Sequence, residues 1–316
     1  MDEKTENSSN GFTSDINLEK LHSIAEELIL PIKFLLRLLN AALVFVTDVL
    51  ARILGSSLVK RHFHLMLSAL VLFGPLLSLW VSKFSIFANN NNFLYRKFLK
   101  STWGWTCILS GSFILLLSTS ARHPPSLLLR HLSRIGIMGF LWWGSQRMLT
   151  LLEDAAGTCY EPLKPDQEGT ASSPQPLLLL HEDQTKASCL RANMVWRGYE
   201  VSQDILILCL CCLLLVEEIS VFWHHLAQVK PLQRSPGGPL RFIFLLCVLM
   251  LALWMFLLLC LLAHFPKFLS QQLGGALGYL GWRGLYQGWY RLKSGWGCPG
   301  LPGEGYISST DNEKHS

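Results

Sequence analysis

Residues 205–216 form an unbroken apolar run, ILILCLCCLLLV, and the run continues to Trp223 with only Glu217, Glu218 and Ser220 intervening. A helix needs about 20 mostly apolar residues to cross a bilayer, and 205–223 comes close to that length. Two adjacent carboxyls are costly in hydrocarbon, so Glu217 and Glu218 are expected to be buried, paired, protonated or functional. The stretch opens polar through Arg197, Glu200, Ser202, Gln203 and Asp204, and leaves through His224 and His225. The chemistry of the chain is expected at or near this helix.

The rest of the sequence repeats the theme. Hydrophobic residues make up 50% and charged residues 16%, against roughly a quarter charged in soluble domains. The apolar residues are clustered into long runs, so the fold class is all-α: a polytopic helical membrane protein with about six transmembrane helices. A net charge of +5 bears on membrane orientation rather than on nucleic acid, which is not expected as a partner. The first twenty residues are polar and mixed in charge, so the first span would serve as the targeting signal.

Three regions follow: a polar N-terminal tail at 1–27, a transmembrane domain at 28–296 and a C-terminal tail at 297–316. Residues 1–22 show no hydrophobic period and read as disordered; the Asn7-Ser8-Ser9 sequon in that tail matters only on a lumenal side. The stretch 28–50 carries Lys33, Arg37, Asn40 and Asp48, and is either a first span or an amphipathic surface helix. Spans follow at 65–81, with a Gly74-Pro75 kink, and at 103–119, which opens on interfacial aromatics. Residues 135–143 are apolar for only nine positions before Gly144, Ser145, Gln146 and Arg147, so 131–152 is short for a span and a re-entrant or interfacial segment is equally open. Residues 242–263 are an uncharged span. The last, 273–290, is rich in glycine; Gly274, Gly278 and Gly281 favour close helix approach, and Arg283 is expected to face protein, with Glu217 or Glu218 a conceivable partner. Counting 28–50 and omitting 131–152 gives six spans, the preferred reading on length; the reverse choice also gives six. The basic residues Lys83, Arg96, Lys97 and Lys100 change side between the two.

Residues 153–202 form the longest hydrophilic loop, with eight acids against four Lys or Arg; the positive-inside bias places it away from the cytosol. Within it, 176–180 is a short apolar patch able to dip into the interface. Lys230, Arg234 and Arg241 mark the following 226–241 segment as cytosolic. Cys107, Cys209, Cys211, Cys212, Cys247 and Cys260 read as small buried hydrophobes. Cys159 and Cys189 share the hydrophilic loop and are able to pair if it faces an oxidising lumen. No cysteine or histidine spacing calls for a metal, and no cofactor is expected.

Bland readings stand beside the sharp ones. His224 and His225 read as a solvated helix end rather than a phosphate site, and the 89–92 asparagines as a turn. Trp103, Trp105, Trp142 and Trp143 read as an interface belt rather than a lipid cage. Glu217 and Glu218 are lipid-binding candidates, touching a glycerol hydroxyl, or equally an acid pair bonding a neighbouring helix.

The chain resembles the fat storage-inducing transmembrane (FIT) proteins, most closely their type 1 branch. The resemblance rests on FGPLLSLW at 73–80, SIFANNNNFLYRKFLKSTWGWTC at 85–107, ARHPPSLLLRHLSR at 121–134, LLEDAAGTCYEPL at 151–163, SCLRANMVWRGYEVS at 188–202, CCLLLVEE at 211–218 and the closing GCPGLPG. It implies a six-span endoplasmic reticulum protein with both ends cytosolic. It also implies binding of diacylglycerol and triacylglycerol and promotion of triacylglycerol storage in lipid droplets. Some members are similar to lipid phosphatases and cleave the diphosphate of fatty acyl-coenzyme A with two lumenal histidines. Here the first of those positions is Asp204, within Ser202-Gln203-Asp204. The second is Pro266, with His264 two residues early.

The chemistry needs one imidazole as nucleophile and another as general acid or base. Proline supplies neither, and an anionic Asp204 repels a diphosphate. The expectation is therefore a non-catalytic protein that partitions neutral lipid within the endoplasmic reticulum membrane, its protein partners unspecified. The alternative is a lumenal acyl-coenzyme A diphosphatase, with His264 as a weak catalytic candidate. A transporter or channel is disfavoured, as no internal repeat or charge ladder is evident.

Overall fold

The computed structural model describes residues 10–82, 85–89, 91–120, 124–162, 177–181, 185–198, 200–228, 237–292 and 298–304. The sequon, Lys83, Pro176, Lys230 and Arg234 lie outside them. The chain divides into two units, Met1–Leu50 and Ala51–Ser316.

The described part of the first unit is helix. It belongs to α1 (Asn10–Gly55), which starts well ahead of residue 28 and runs through Pro31. Its 10–22 portion is helical where the sequence reads as disordered. The Thr47 hydroxyl donates to the Leu43 carbonyl one turn back. Leu30–Gly55 is long and apolar enough to cross a membrane.

The second unit is a helical bundle around α6 (Gln203–Ile219). Ser202 caps α6, its hydroxyl accepting from the Ile205 N–H at 3.4 Å, and Asp204 sits in the first turn, where a carboxylate suits the helix dipole. Every residue from Ile205 to Val216 is buried. A helix apolar on all sides and surrounded by protein is a core helix, and α2 (Ser57–Phe73), α3 (Thr102–Ser120), α8 (Gly238–His264) and α9 (Phe268–Trp282) all pack on it. A short α7 (Val221–Gln228) follows α6. The outward faces are apolar too: Phe140 is 72% exposed and Leu249 65%. That is the surface a bilayer requires, because lipid solvates apolar side chains and leaves only packing and polar contacts to hold helices together.

Helix α3 runs antiparallel to α8. Thr106 accepts a hydrogen bond from the Trp254 indole at 3.0 Å, and Phe113 meets Phe244 at a centroid distance of 6.3 Å. Helix α9 approaches α6 through glycines: a Cβ at Gly274 would lie 2.5 Å from the Ser202 carbonyl, and one at Gly278 would lie 3.0 Å from Cys209 Cβ. Helix α2 ends at Gly74-Pro75, where a 3-10 turn over Gly74–Leu79 takes over.

Residues 131–152, which the preferred reading leaves out of the membrane, are not among the helices that pass as membrane-crossing by length and composition. They form the middle of one continuous helix, α4 (Pro125–Ala156). Arg134 meets Glu218 at one end of α6, and Glu153 accepts from the Trp196 indole at the other. From Arg134 to Glu153 the helix rises roughly 28 Å at ~1.5 Å per residue, close to the ~30 Å hydrocarbon thickness. The polar residues that break the run are satisfied locally. The Ser145 hydroxyl donates to the Trp142 carbonyl, and the Arg147 guanidinium lies 5.7 Å over the Trp143 ring. Trp103 and Trp142 stack at 5.9 Å and join α3 to α4.

Among the described residues, five helices pass as membrane-crossing by length and composition, four of them in this unit beyond residue 56. Helices α4 and α9, the latter extended by a π turn over Arg283–Gly288, run the same depth. Residues 51–55 and the 298–304 loop therefore sit at one end, and the hydrophilic loop at the other. Arg96, Lys97 and Lys100 lie at the hydrophilic-loop end, next to Tyr95, whose ring meets Phe265 at 6.0 Å.

The loop itself is folded. Strands β1 (Thr158–Pro162), β2 (Leu177–His181) and β3 (Val195–Arg197) make a small antiparallel sheet in the order β2-β1-β3. Residues 177–180 pair with β1 as a strand. A disulfide joins Cys159 on β1 to Cys189 on the short α5 (Lys186–Arg191), with Cα atoms 5.9 Å apart. Lys186 donates to Glu153 at 3.0 Å and lies 3.2 Å from Asp154, tying the loop to the end of α4.

Candidate functional site

Three polar sites lie along α6. The first is its N-terminal end. Here the Ser202 N–H donates to the Ser270 carbonyl at 3.1 Å, and Lys267 donates to Glu200 at 2.7 Å. These contacts bring Asp204 and the Pro266 turn to the same end of the bundle. Asp204 is exposed, Pro266 is exposed and His264 is half-buried. The hydrogen bond from Lys267, and then its charge, hold the Glu200 carboxyl below the usual carboxylate range. The Gln271 amide nitrogen donates to the Phe265 and Leu261 carbonyls at 2.8 and 3.3 Å, which holds the turn after α8. Asp204, Pro266 and His264 thus share this end of the bundle.

The second site is the other end of α6. Glu218 is buried and receives a two-pronged hydrogen bond from Arg134, Nε to Oε1 and Nη2 to Oε2, each 2.8 Å. Tyr286 donates to Oε1 at 3.0 Å. Arg134 also reaches the Leu301 carbonyl at 3.3 Å, while Arg130 donates to the Pro299 carbonyl at 2.9 Å. The closing Gly-Pro-rich loop is thereby seated on α4, turning through Gly300 and Gly303 at positive φ of 70° and 81°, a conformation that disfavours a side chain. Glu218 is therefore committed to a protein network. Glu217 is only half-buried, with Lys60 and Arg291 the basic groups that face it. Lys60 also approaches His224 Nε2 at 3.4 Å.

Arg283 departs from the expectation that it faces protein. It is exposed, and its partner is the Tyr279 hydroxyl at 3.1 Å, one turn back on its own helix. Glu218 had a better-placed cation in Arg134, a residue that sequence reasoning passed over because it lies ahead of the apolar run at 135–143.

The third site is a groove of about 270 Å³ between α2, α6 and α9. Leu67, Val71, Cys209 and Leu213 supply apolar walls; His64, Ser68, Gln272 and Tyr279 supply the polar groups. Among the described residues, Lys, Arg, Asp and Glu do not line it. His64 stacks on Tyr279 and Trp282 at centroid distances of 5.8 and 5.4 Å, and its Nδ1 is buried without a hydrogen-bond partner. Sequence reasoning missed His64 because the span beginning at residue 65 excluded it. Only its place one turn into an apolar helix signalled it. Among the described residues, His, Cys, Asp and Glu do not cluster in threes able to hold a metal.

Comparison with known proteins places this architecture. The fat storage-inducing transmembrane protein family matches residues 83–239. Fat storage-inducing transmembrane protein 1 of Danio rerio is 58% identical over 278 residues, covering 87% of this chain and 94% of that protein. Its counterpart in Mus musculus is 42% identical, covering 90% and 92%. The acyl-coenzyme A diphosphatase FITM2 of Danio rerio is 30% identical, covering 69% and 78%. No solved structure matches. The chain is a multi-pass membrane protein and belongs to the fat storage-inducing transmembrane family.

Proposed function

We propose that this protein promotes lipid droplet formation and triacylglycerol storage in the endoplasmic reticulum by binding and partitioning diacylglycerol and triacylglycerol, without catalysis. The observation that carries this reading is the uncharged groove between α2, α6 and α9, which offers apolar walls and a few polar groups inside the bilayer. Neutral glycerolipids have that chemistry: long apolar chains and a small uncharged polar centre. Six crossings, counting 28–50 or 131–152 but not both, put both termini in the cytosol and the disulfide-bonded loop in the lumen, an oxidising compartment in which such a bond persists.

Asp204 and Pro266 support the non-catalytic part. Neither side chain supplies an imidazole nucleophile or acid at the end where both sit. The second reading, a lumenal acyl-coenzyme A diphosphatase, draws on the likeness to FITM2 and on His264 lying at that same end.

Hydrolysis of an unsaturated fatty acyl-coenzyme A by the purified full-length protein separates the two readings. The native chain, His264→Ala and the double variant Asp204→His with Pro266→His are compared, each with binding of labelled diacylglycerol measured in parallel. The partitioning reading expects binding without turnover in the native chain. Turnover that His264→Ala abolishes would establish the diphosphatase instead.

A further inference from the structure

The geometry points to the α2–α6–α9 groove as a binding site for an uncharged glycerolipid with one free hydroxyl, a diacylglycerol, with His64 as the residue that recognises the hydroxyl. This rests on the lipid-binding reading above and gives it a place and a selectivity.

An imidazole inside a membrane helix is a functional candidate by default. His64 sits on α2 with its ring packed against Tyr279 and Trp282. Those two rings are themselves 5.9 Å apart, so both lie to one side of the imidazole. Its Nδ1 is buried and unpartnered, in a residue that lines the groove. A buried polar atom without a partner is costly, so a ligand that satisfies it binds more tightly than one that does not. In either neutral tautomer Nδ1 is a donor or an acceptor. A hydroxyl complements both forms, whereas an ester carbonyl complements only the donor form.

The other polar lining group is also prepared. Val71 would bond to the N–H of residue 75, but Pro75 has none. The Gln272 amide nitrogen donates to the Val71 carbonyl instead, at 2.7 Å. That fixes the Gln272 amide at the groove wall, about 10 Å along α9 from Tyr279 at ~1.5 Å per residue. The described residues that line the groove include no Lys, Arg, Asp or Glu, and the neighbouring Arg283 is engaged by the Tyr279 hydroxyl, which favours a neutral lipid over a phosphatidic acid or a fatty acid. At about 270 Å³ it falls just below the ~300–1,000 Å³ of drug-sized pockets. It holds a glycerol centre and the first methylenes, with the acyl chains running out past exposed Leu72 into the bilayer.

The test uses the full-length protein in phospholipid nanodiscs and a photoreactive diacylglycerol, with unlabelled diacylglycerol, triacylglycerol and phosphatidic acid as competitors. The native protein is expected to crosslink on α2 or α9, with diacylglycerol competing best. His64→Leu should weaken diacylglycerol competition about fivefold, the factor for roughly 1 kcal/mol, and leave triacylglycerol competition unchanged. Ala276→Trp, which fills the groove from an exposed position, should abolish crosslinking there. Thermal unfolding confirms that each variant is folded. Equal crosslinking in native protein and Ala276→Trp would overturn the site while leaving lipid binding in place. Competition by phosphatidic acid as strong as by diacylglycerol would overturn the selectivity. Absence of crosslinking anywhere would defeat the underlying lipid-binding reading as well.

Discussion

Arg134 on α4 and Glu218 on α6 are the two halves of a buried, two-pronged ion pair, with side chains 1% and 2% exposed. The pair fixes the rotation of two helices at once, and Tyr286 and the Leu301 carbonyl extend it to α9 and the C-terminal loop. Breaking a buried pair from one side strands a charge and costs about 3–5 kcal/mol, while replacing both partners by apolar residues is often neutral. Arg134→Met alone and Glu218→Met alone should therefore each unfold at markedly lower temperature in detergent, and the double variant should recover most of the loss. If the single variants melt like the native protein, the network is not what holds this end together.

That pair also shows what the sequence discloses and what it withholds. The Glu217-Glu218 break in the apolar run announces that a carboxyl must be satisfied, and the length of the runs announces the bundle. The cation that satisfies it lies 84 residues away, on a helix whose apolar core looks too short to span because Gly144, Ser145, Gln146 and Arg147 interrupt it. Hydropathy registers those residues as polar; it does not register that the Ser145 hydroxyl bonds its own helix or that Arg147 lies on an aromatic face. The groove is hidden for a related reason. Its lining is assembled from three helices, and none of its residues departs from an ordinary membrane pattern except His64.

Gln272 and Pro75 give a second test. The Gln272 amide replaces the hydrogen bond that Pro75 denies to the Val71 carbonyl. Gln272→Leu should cost about 1–3 kcal/mol by leaving that carbonyl unpaired. Adding Pro75→Ala supplies an N–H and should restore part of the loss. A purely additive double variant in thermal unfolding would show that the two residues do not share this carbonyl.

The Cys159–Cys189 bridge ties β1 to α5 across 30 residues of chain. Bridges of this kind contribute about 2–4 kcal/mol to the structures they close. Cys159→Ser should open the loop to protease while leaving the helical bundle intact, because β1, α5 and β3 pack among themselves and on the end of α4. Limited proteolysis followed by mass spectrometry reads this directly. Cleavage confined to 158–202 is expected; a general loss of protection would mean that the loop supports the bundle.

The Lys186 and Lys267 ion pairs at this end respond to pH in opposite directions. Hydrogen bonds to Glu153 and Asp154 raise the Lys186 ammonium above its ordinary value, so its contribution is complete below that value and is lost as pH rises through the folded one. Glu200 is depressed by Lys267, so its contribution is present above the ordinary carboxylate value and is lost as pH falls through the folded one. With Lys267 and Glu200 side chains 68% and 62% exposed, screening by water and salt limits such a pair to about 0–1 kcal/mol. Lys267→Ala should therefore shift the unfolding temperature only slightly at neutral pH, and less still in 1 M salt or near pH 3. A large loss at neutral pH would mean that the Glu200–Lys267 contact closes the end of α6 and is not a solvated surface pair.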